Sequence, residues 1–393
     1  MDKSKWTYKK LGEVCEILNG FAFKSGKYTG QGIRVLRITN VQKGEIVDDD
    51  PKFYPMSSLT EIQRYMLQEN DLLLSLTGNV GRVGLLQREL LPAALNQRVA
   101  CLRIKDDSID LKYIFHLMNS DLFEDECIAN SQGIAQKNMS TEWLKKYIIP
   151  VPSLSEQQSI VSELDKINEL ISLKKAQLSD FDSLAQSIFY DMFGDPIENE
   201  KGWEVKKLGE VCDTITDGDH MPPPKSENGI PFITISDINK ETRELDFSRT
   251  FHVPQDYYDE LKEERKAKKN DILYTVTGSY GIPVIVRTDK PFCFQRHIAL
   301  IRPTQEKLLT IFLCLWALCP SIKWMADRVA TGIAQKTVGL NSLRQFDVIL
   351  PPLSLQQDFA KRIELIEKQK AQVSSAIKDL ETLLASRMQY WFD

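Results

Sequence analysis

The chain has 393 residues, enough for two domains with full cores, and its 42% hydrophobic and 27% charged residues exclude a disordered or fibrous class. A net charge of −5 and a pI near 5.7 give no global basic excess, so a nucleic-acid function would have to rest on local patches or on partners. Seven cysteines without CxxC spacing argue against a zinc module, and with no signal peptide in the sequence they lead to an expected reducing cytoplasm.

From Trp6, "WTYKKLGEVCEI" is read as an opening helix, followed by the loop "NGFAFKSGKYTGQ" with Lys24 and Lys27. "GIRVLRITNV" from Gly32 alternates apolar and polar residues as a half-buried strand does. "NDLLLSLTGNVGRVGLL" from Asn70 is a strand running into a Thr-Gly turn, with Asn79 and Arg82 beside small glycines. Gln97 and Arg98 precede the apolar strand "VACLRI", and "DLKYIFHLMNSDLF" from Asp110 has the density of a buried helix. "GIAQK" from Gly133 brings Gln136 and Lys137.

After Pro152 a long helix is predicted, with Ser155 as N-cap and Gln158 completing a capping box. Its apolar residues step by four and three: Ile160, Leu164, Ile167, Ile171, a break at Lys174, then Leu178, Phe181, Ala185, Ile188 and Met192. That narrow seam suits a helix partner better than a domain surface. "MFGDP" from Met192 ends the helix with a glycine and a proline.

The chain then repeats itself. "WEVKKLGEVCDTI" from Trp203 and "GIPFITISDI" from Gly229 follow their first copies at an offset of 197, and "NDILYTVTGSYGIPVIV" from Asn270 at 200. "GIAQKTVGLNSLRQFDVILPPLSLQQ" from Gly332 follows "GIAQKNMSTEWLKKYIIPVPSLSEQQ" from Gly133 without a gap, at 199. The second copy supplies Asp219, His220 and Lys225 in a Pro-rich loop, Ser279 and Tyr280 in the Thr-Gly turn, and Gln295, Arg296 and His297 before a strand. It also supplies Gln335 and Lys336. Its apolar run "LLTIFLCLWALC" from Leu308 is too short to span a bilayer and reads as a core helix, so no membrane partner is expected. The second seam runs Phe359, Ile363, Ile366, Lys370, Val373, Ile377, Leu380, Leu384, Arg387 and Trp391, broken at Lys370 and Arg387. A period near two hundred residues means two similar domains, not a solenoid.

The expected organisation is a mixed α+β head over residues 1–152, a spacer helix over 153–194, a second head over 195–351 and a second spacer helix over 352–393. If the helices pair antiparallel, the copies acquire a pseudo-twofold axis, which suits duplex DNA with two half-sites. Where the copies differ, base reading is the natural role, since Arg, Asn and Gln match base edges. Where they agree, as in "GIAQK", phosphate or partner contacts fit better. Surface loops, hairpin turns and solvated strand ends fit the same residues. The run "KEERKAKKN" from Lys262 reads as a solvated helix face or as a phosphate contact. His220 lacks the companions a metal ligand needs. Nothing in the sequence supports catalysis: there is no phosphate-cradling Gly motif, and no Asn or Asp precedes "MPPP" or "LPPL".

The ordered set of "W..KKLGEV" openings, "TGNVG" and "TGSYG" turns, and "GIAQK…PSLSEQQ" and "GIAQK…PPLSLQQ" junctions, present twice, resembles the specificity subunit of type I restriction–modification systems over essentially the whole chain. The resemblance implies two target-recognition domains on antiparallel spacer helices, a bipartite asymmetric target in double-stranded DNA, and adenine methylation in each half. It implies two methyltransferase subunits and endonuclease/translocase subunits as partners, which would carry S-adenosylmethionine, ATP and Mg, and no catalytic residue or cofactor in this chain. The competing expectation is a twofold scaffold that binds two copies of a protein and no DNA.

Overall fold

A computed structural model describes residues 3–133, 137–220, 223–332 and 335–392. The chain forms two compact units, one from Met1–Lys175 with Ser375–Asp393, the other from Ala176–Ser374. Each is a mixed α+β head that shares its core with the start of one 40-residue helix and the end of the other. The two helices are Leu154–Phe193 and Leu353–Phe392.

The heads repeat one topology. In the first, a four-stranded antiparallel sheet runs in the order Cys15–Asn19, Val99–Ile104, Leu72–Ser75, Val83–Leu85. In the second the order is Cys212–Asp217, Ile298–Pro303, Ile272–Thr275, Pro283–Ile285. The continuous "LLL" of the first sheet reflects burial on both faces: Leu72 and Leu74 join the core under the helices, while Leu73 joins a core with Leu36 and Leu95. Ile272, Tyr274 and Leu273 divide in the same way. A smaller sheet carries Ile33–Leu36 parallel to Ala93–Leu95, and its twin pairs Ile230–Ile233 with Cys293–Phe294.

The opening segment departs from the predicted helix. It is a strand, Thr7–Lys10, one helical turn, Leu11–Val14, and then the first sheet strand. The reason is non-local: Thr7 to Lys10 pair with Val151 to Ile148, tying the start of the head to the strand that feeds the long helix. Glu204–Lys207 pairs with Asp347–Leu350 for the same purpose. "DLKYIFHLMNSDLF" does give buried helices, Leu111–Met118 and the start of Asp121–Ala129, and "LLTIFLCLWALC" gives Thr310–Ala317.

The first long helix begins at Leu154, and its cap is Ser153 rather than Ser155. The Ser153 N–H and hydroxyl donate to the Glu156 carboxylate at 3.1 and 2.9 Å, and the Glu156 N–H donates back at 3.4 Å. One turn in, Gln157 is fully buried and clamps helix to head. Its amide donates to the carbonyls of Ser108 and Pro152, both at 2.9 Å, and its oxygen accepts from the Asp110 N–H at 2.8 Å. Gln356 repeats the clamp on Lys307 (3.1 Å), Pro351 (2.9 Å) and the Leu309 N–H (2.9 Å).

The seams pair as expected. In the first unit Glu163 meets Arg387 and Lys175 meets Glu381; in the second Asp182 meets Lys370 and Phe189 packs on Phe359. Partner numbers fall as helix numbers rise, so the helices are antiparallel in each unit. The breaks at Lys370 and Arg387 are therefore cross-helix ion pairs, Lys370 Nζ lying 2.9 Å from Asp182 and Arg387 Nη2 donating to Glu163 at 3.1 Å. Charged seam positions of this kind fix register. Beyond Ala185 the pattern shifts: Phe189 and Phe193 are fully buried, while Ile188 and Met192 are only half-buried. There the helix end packs on a domain core, with Phe193 4.8 Å from Phe312 and 5.1 Å from Phe359 between ring centroids. Trp391 and Phe392 play this part in the first unit, Phe392 lying 5.7 Å from Tyr113.

The first unit holds one buried imidazole where the second has Leu315. His116 Nε2 lies 2.8 Å from Asp165 Oδ1, and Lys112 Nζ lies 2.6 Å from Oδ2. Burial holds the imidazole below its ordinary pKa of 6.5 despite the carboxylate. The unfolded chain takes up this proton more readily than the folded one, so the contribution is complete above pH 6.5 and is lost as pH falls below it. Calorimetry of the intact chain between pH 7.5 and 5.5 should show the first unit's transition falling more than the second's. His116→Leu, which copies the second unit at that position, should shrink the first unit's fall; an undiminished fall would refute the assignment.

Candidate nucleic-acid interface

In each unit, three segments converge at one end of the four-stranded sheet. In the first, the Leu76 N–H donates to the Arg98 carbonyl at 2.9 Å and the Met139 N–H to the Leu76 carbonyl at 2.8 Å. The Gly78 N–H closes on the Lys137 carbonyl at 3.0 Å, and Thr77 bridges Asn138. In the second, the Val276 N–H donates to the His297 carbonyl and the Val338 N–H to the Val276 carbonyl, both at 2.9 Å, and Gly278 closes on Lys336 at 3.0 Å. The Thr-Gly turn, the Gln-Arg turn and the base of the "GIAQK" loop thus form one surface. A two-bond bridge, Gln132 with Asn138 or Thr331 with Thr337, closes that loop at its base.

Glycine lets the turns form. Gly78 and Gly278 have φ of 76° and 72°, the left-handed region that side chains avoid. Inside each turn a buried hydroxyl replaces backbone partners: Thr275 Oγ1 donates to the Ser279 carbonyl at 2.7 Å and accepts from the Ile282 N–H at 3.0 Å. Ser75 does the same with Asn79 and Arg82.

On this frame the copies carry different side chains. The first unit exposes Asn79, Gln97, Arg98 and Lys137; the second exposes Ser279, Arg296, Gln335 and Lys336, with Tyr280 and His297 half-buried. Burial first, and then the Arg296 charge, hold the His297 imidazole below its ordinary pKa, so at neutral pH it offers one donor and one acceptor. Arg82 is turned inward, its Nη1 donating to Gln42 at 2.7 Å, and is only half-exposed. Gln136 lies outside the described residues.

The divergent loops are anchored to the same surface. Phe21 gives and receives backbone bonds with Leu95 (2.8 Å) and Gln97 (3.0 Å), and Asp219 bridges Gln295. Behind Lys24 and Lys27, both exposed, Phe21, Phe23, Tyr54 and Tyr65 pack with ring centroids 4.9–5.2 Å apart. Arg64, which the sequence reading passed over, lies 4.7 Å over the Tyr65 ring and is exposed. It was legible only through that aromatic neighbour. In the second unit His220 Nε2 sits 2.9 Å from the Asp217 carboxylate, and Lys225 lies 5.2 Å from the Phe251 ring. The "KEERKAKKN" run is no helix face beyond one short turn, Glu263–Arg265: Arg265 faces Asp217 (3.7 Å) and Asp219 (3.9 Å), and Lys266 covers Tyr258. Among the described residues, no group of three His, Cys, Asp or Glu could hold a metal ion, and no helix is long and apolar enough to cross a membrane.

Gly20 and Gly218 make the close approach between loop and surface possible. A Cβ on Gly20 would lie 2.2 Å from the Asn96 carbonyl, and one on Gly218 would lie 1.9 Å from that of Phe294. Backbone on both sides cannot yield as a flexible side chain would, so Gly20→Ala and Gly218→Ala should each cost about 3 kcal/mol, the upper end of overpacking. Urea unfolding checks this, and a cost below about 1 kcal/mol would refute the close approach.

A family model described as the type I restriction modification DNA specificity domain matches residues 3–180 and again 200–381. The chain belongs to that family. It is a DNA-specificity subunit, a recognition chain rather than an enzyme. The type I restriction enzyme EcoBI specificity subunit of Escherichia coli is 25% identical over 97% of this chain and 84% of its own length. The MjaVIII specificity subunit of Methanocaldococcus jannaschii is 30% identical over 47% of this chain and 44% of its own length. Among solved structures, the type I restriction–modification S subunit of M. genitalium aligns with a TM-score of 0.51 at 15% identity, covering 99% of this chain and 96% of that one. A chain from a structure addressing complex assembly and conformational transition of the type I R-M system aligns with 0.56 at 20%, covering 98% and 97%. These structural likenesses show the fold: two similar α+β domains with two long antiparallel helices.

Proposed function

We propose that this specificity subunit reads an asymmetric two-part sequence in duplex DNA, one half-site per unit, with the two long helices setting the gap. The observation that carries this reading is the pair of surfaces built on one backbone frame but bearing different side chains. The shared elements, Lys137 and Lys336 on their bridged loops, suit phosphate contacts that set position. The unshared ones, Asn79, Gln97 and Arg98 against Ser279, Tyr280, Arg296 and His297, suit base edges, where Arg matches guanine and Asn or Gln matches adenine. Lys24, Lys27 and Arg64 in one unit, and His220 and Lys225 in the other, would extend each footprint along its half-site.

The subunit works by positioning alone. Two methyltransferase subunits, carrying S-adenosylmethionine, would dock on it and modify adenine in each half. Endonuclease/translocase subunits, carrying ATP and Mg, would complete the assembly. The acidic balance of the chain fits a protein whose partners complete the positive clamp on DNA.

Gln97→Ala with Arg98→Ala tests the division of labour, since both residues are exposed and tolerate truncation. Adenine-methylation mapping with this variant should show one half of the motif relaxed and the other half and the gap unchanged. Relaxation of both halves, or of neither, would refute one half-site per unit.

A further inference from the structure

Helix Pro320–Val329 of the second unit is the twin, at the offset of 199, of Asp121–Ala129 in the first. The two have opposite character. The first-unit helix carries Asp121, Glu124, Asp125 and Glu126, and Lys43 is tied to Asp121 at 2.6 Å and Glu124 at 2.9 Å. In the second unit the position of Glu124 holds Lys323 and that of Asp125 holds Trp324, with Arg328 one turn on. Trp324 is 55% exposed, and the Arg328 guanidinium lies 4.7 Å from its ring centroid.

This helix is fixed to the recognition surface. The Tyr280 hydroxyl donates to Asp327 Oδ1 at 2.7 Å, and Lys323 Nζ lies 3.8 Å from the Tyr280 ring centroid. The Lys323 stem fills the space beside Gly281, where a Cβ would come within 3.0 Å of Cδ. The helix then runs into Thr331, which closes the loop carrying Gln335 and Lys336. Trp324 and Arg328 share one face, four residues apart, continuous with that loop.

We propose that the Trp324–Arg328 face is an additional DNA-backbone contact, gripping phosphate beside the half-site read by the second unit, and that the first unit has no counterpart. The proposal rests on the reading that the loop surface faces DNA. The Trp324 ring holds the Arg328 guanidinium over its face, 4.7 Å from the centroid, which lowers the ordering cost of bidentate phosphate binding. The acidic twin helix would repel the same phosphate, so the two half-sites are held unequally.

Trp324→Ala with Arg328→Ala tests it in the chain assembled with its methyltransferase subunits, titrated with target duplex at several salt concentrations. The expected result is binding weakened about tenfold at 0.15 M salt, a log–log salt slope shallower by about one, and an unchanged methylation motif. A parallel variant, Arg296→Ala with Lys336→Ala, separates the failures. If only that variant weakens binding, the helix contact is overturned and the loop reading stands; if neither does, the loop reading falls as well. Loss of methyltransferase from the complex with an unchanged salt slope would make this face a protein contact and also overturn the proposal.

Discussion

Gln157→Leu is expected to destabilise the first unit by about 4 kcal/mol, and Gln356→Leu the second by a similar amount. Each side chain is fully buried and makes three hydrogen bonds to backbone at the joint between head and helix. Leucine keeps the volume but leaves one N–H and two carbonyls without their partner, and each orphaned buried group costs about 1–3 kcal/mol. For a unit near two hundred residues this lowers the melting temperature by roughly 10 °C. Calorimetry should show the loss confined to the unit mutated. A shift under about 3 °C would mean that the glutamines do not hold the joint.

Asp71→Ala and Asp271→Ala should be comparably damaging. Asp71 is 4% exposed and takes Arg103 bidentately at 2.7 and 2.8 Å, with the Gln68 N–H at 2.8 Å on the same carboxylate. Arg103 also donates to the Met66 carbonyl at 3.1 Å. Asp271 and Arg302 repeat the arrangement at 2.8 and 2.7 Å, with the Lys268 N–H at 2.7 Å and the Lys266 carbonyl at 3.1 Å. Removing one partner strands a guanidinium in a largely buried site, a loss of about 3–5 kcal/mol, and the lower end applies because Arg103 keeps a quarter of its side chain in water. Asp71→Leu combined with Arg103→Met should recover most of the stability, because the uncompensated charge is then gone. A double variant as unstable as the single one would refute this electrostatic account.

These two devices explain why the chain is written twice where it is. Gln157 and Gln356, Asp71 and Asp271, and the glycines of the turns hold the frame, so both copies need them. The seam was legible because a helix partner imposes its own period along the whole helix, and Ile160, Leu164, Phe359, Ile363 and Trp391 are buried as that period requires. It misled only at the end of the first helix, where Phe189 and Phe193 face a domain core that accepts a wider stripe. The opening strand was illegible because its partner, Ile148–Val151, lies over 130 residues away, and short apolar–polar runs do not reveal non-local pairing. The cap moved from Ser155 to Ser153 because both serines have a capping partner three residues on. Only the earlier start was compatible with Gln157 reaching the head.

Among the site residues, the sequence showed which segments agree and which differ between copies, but not that three of them meet. The Leu76, Arg98 and Met139 bonds that join them are backbone contacts, to which side-chain identity is blind. Arg82 looked like a reader of bases and is instead bonded to Gln42 within its own head. Trp324 was hidden because its helix shares no identical residue with its acidic twin at the offset of 199.

The most direct measurement is a single-molecule methylation map. The chain is co-expressed with its methyltransferase subunit in a host free of adenine methylation, and again with the chain omitted. The account predicts two short specified sequences separated by a fixed gap, with adenine modified in each, and no modification when the chain is absent. A single continuous motif, or no modification despite a stable complex, would contradict it.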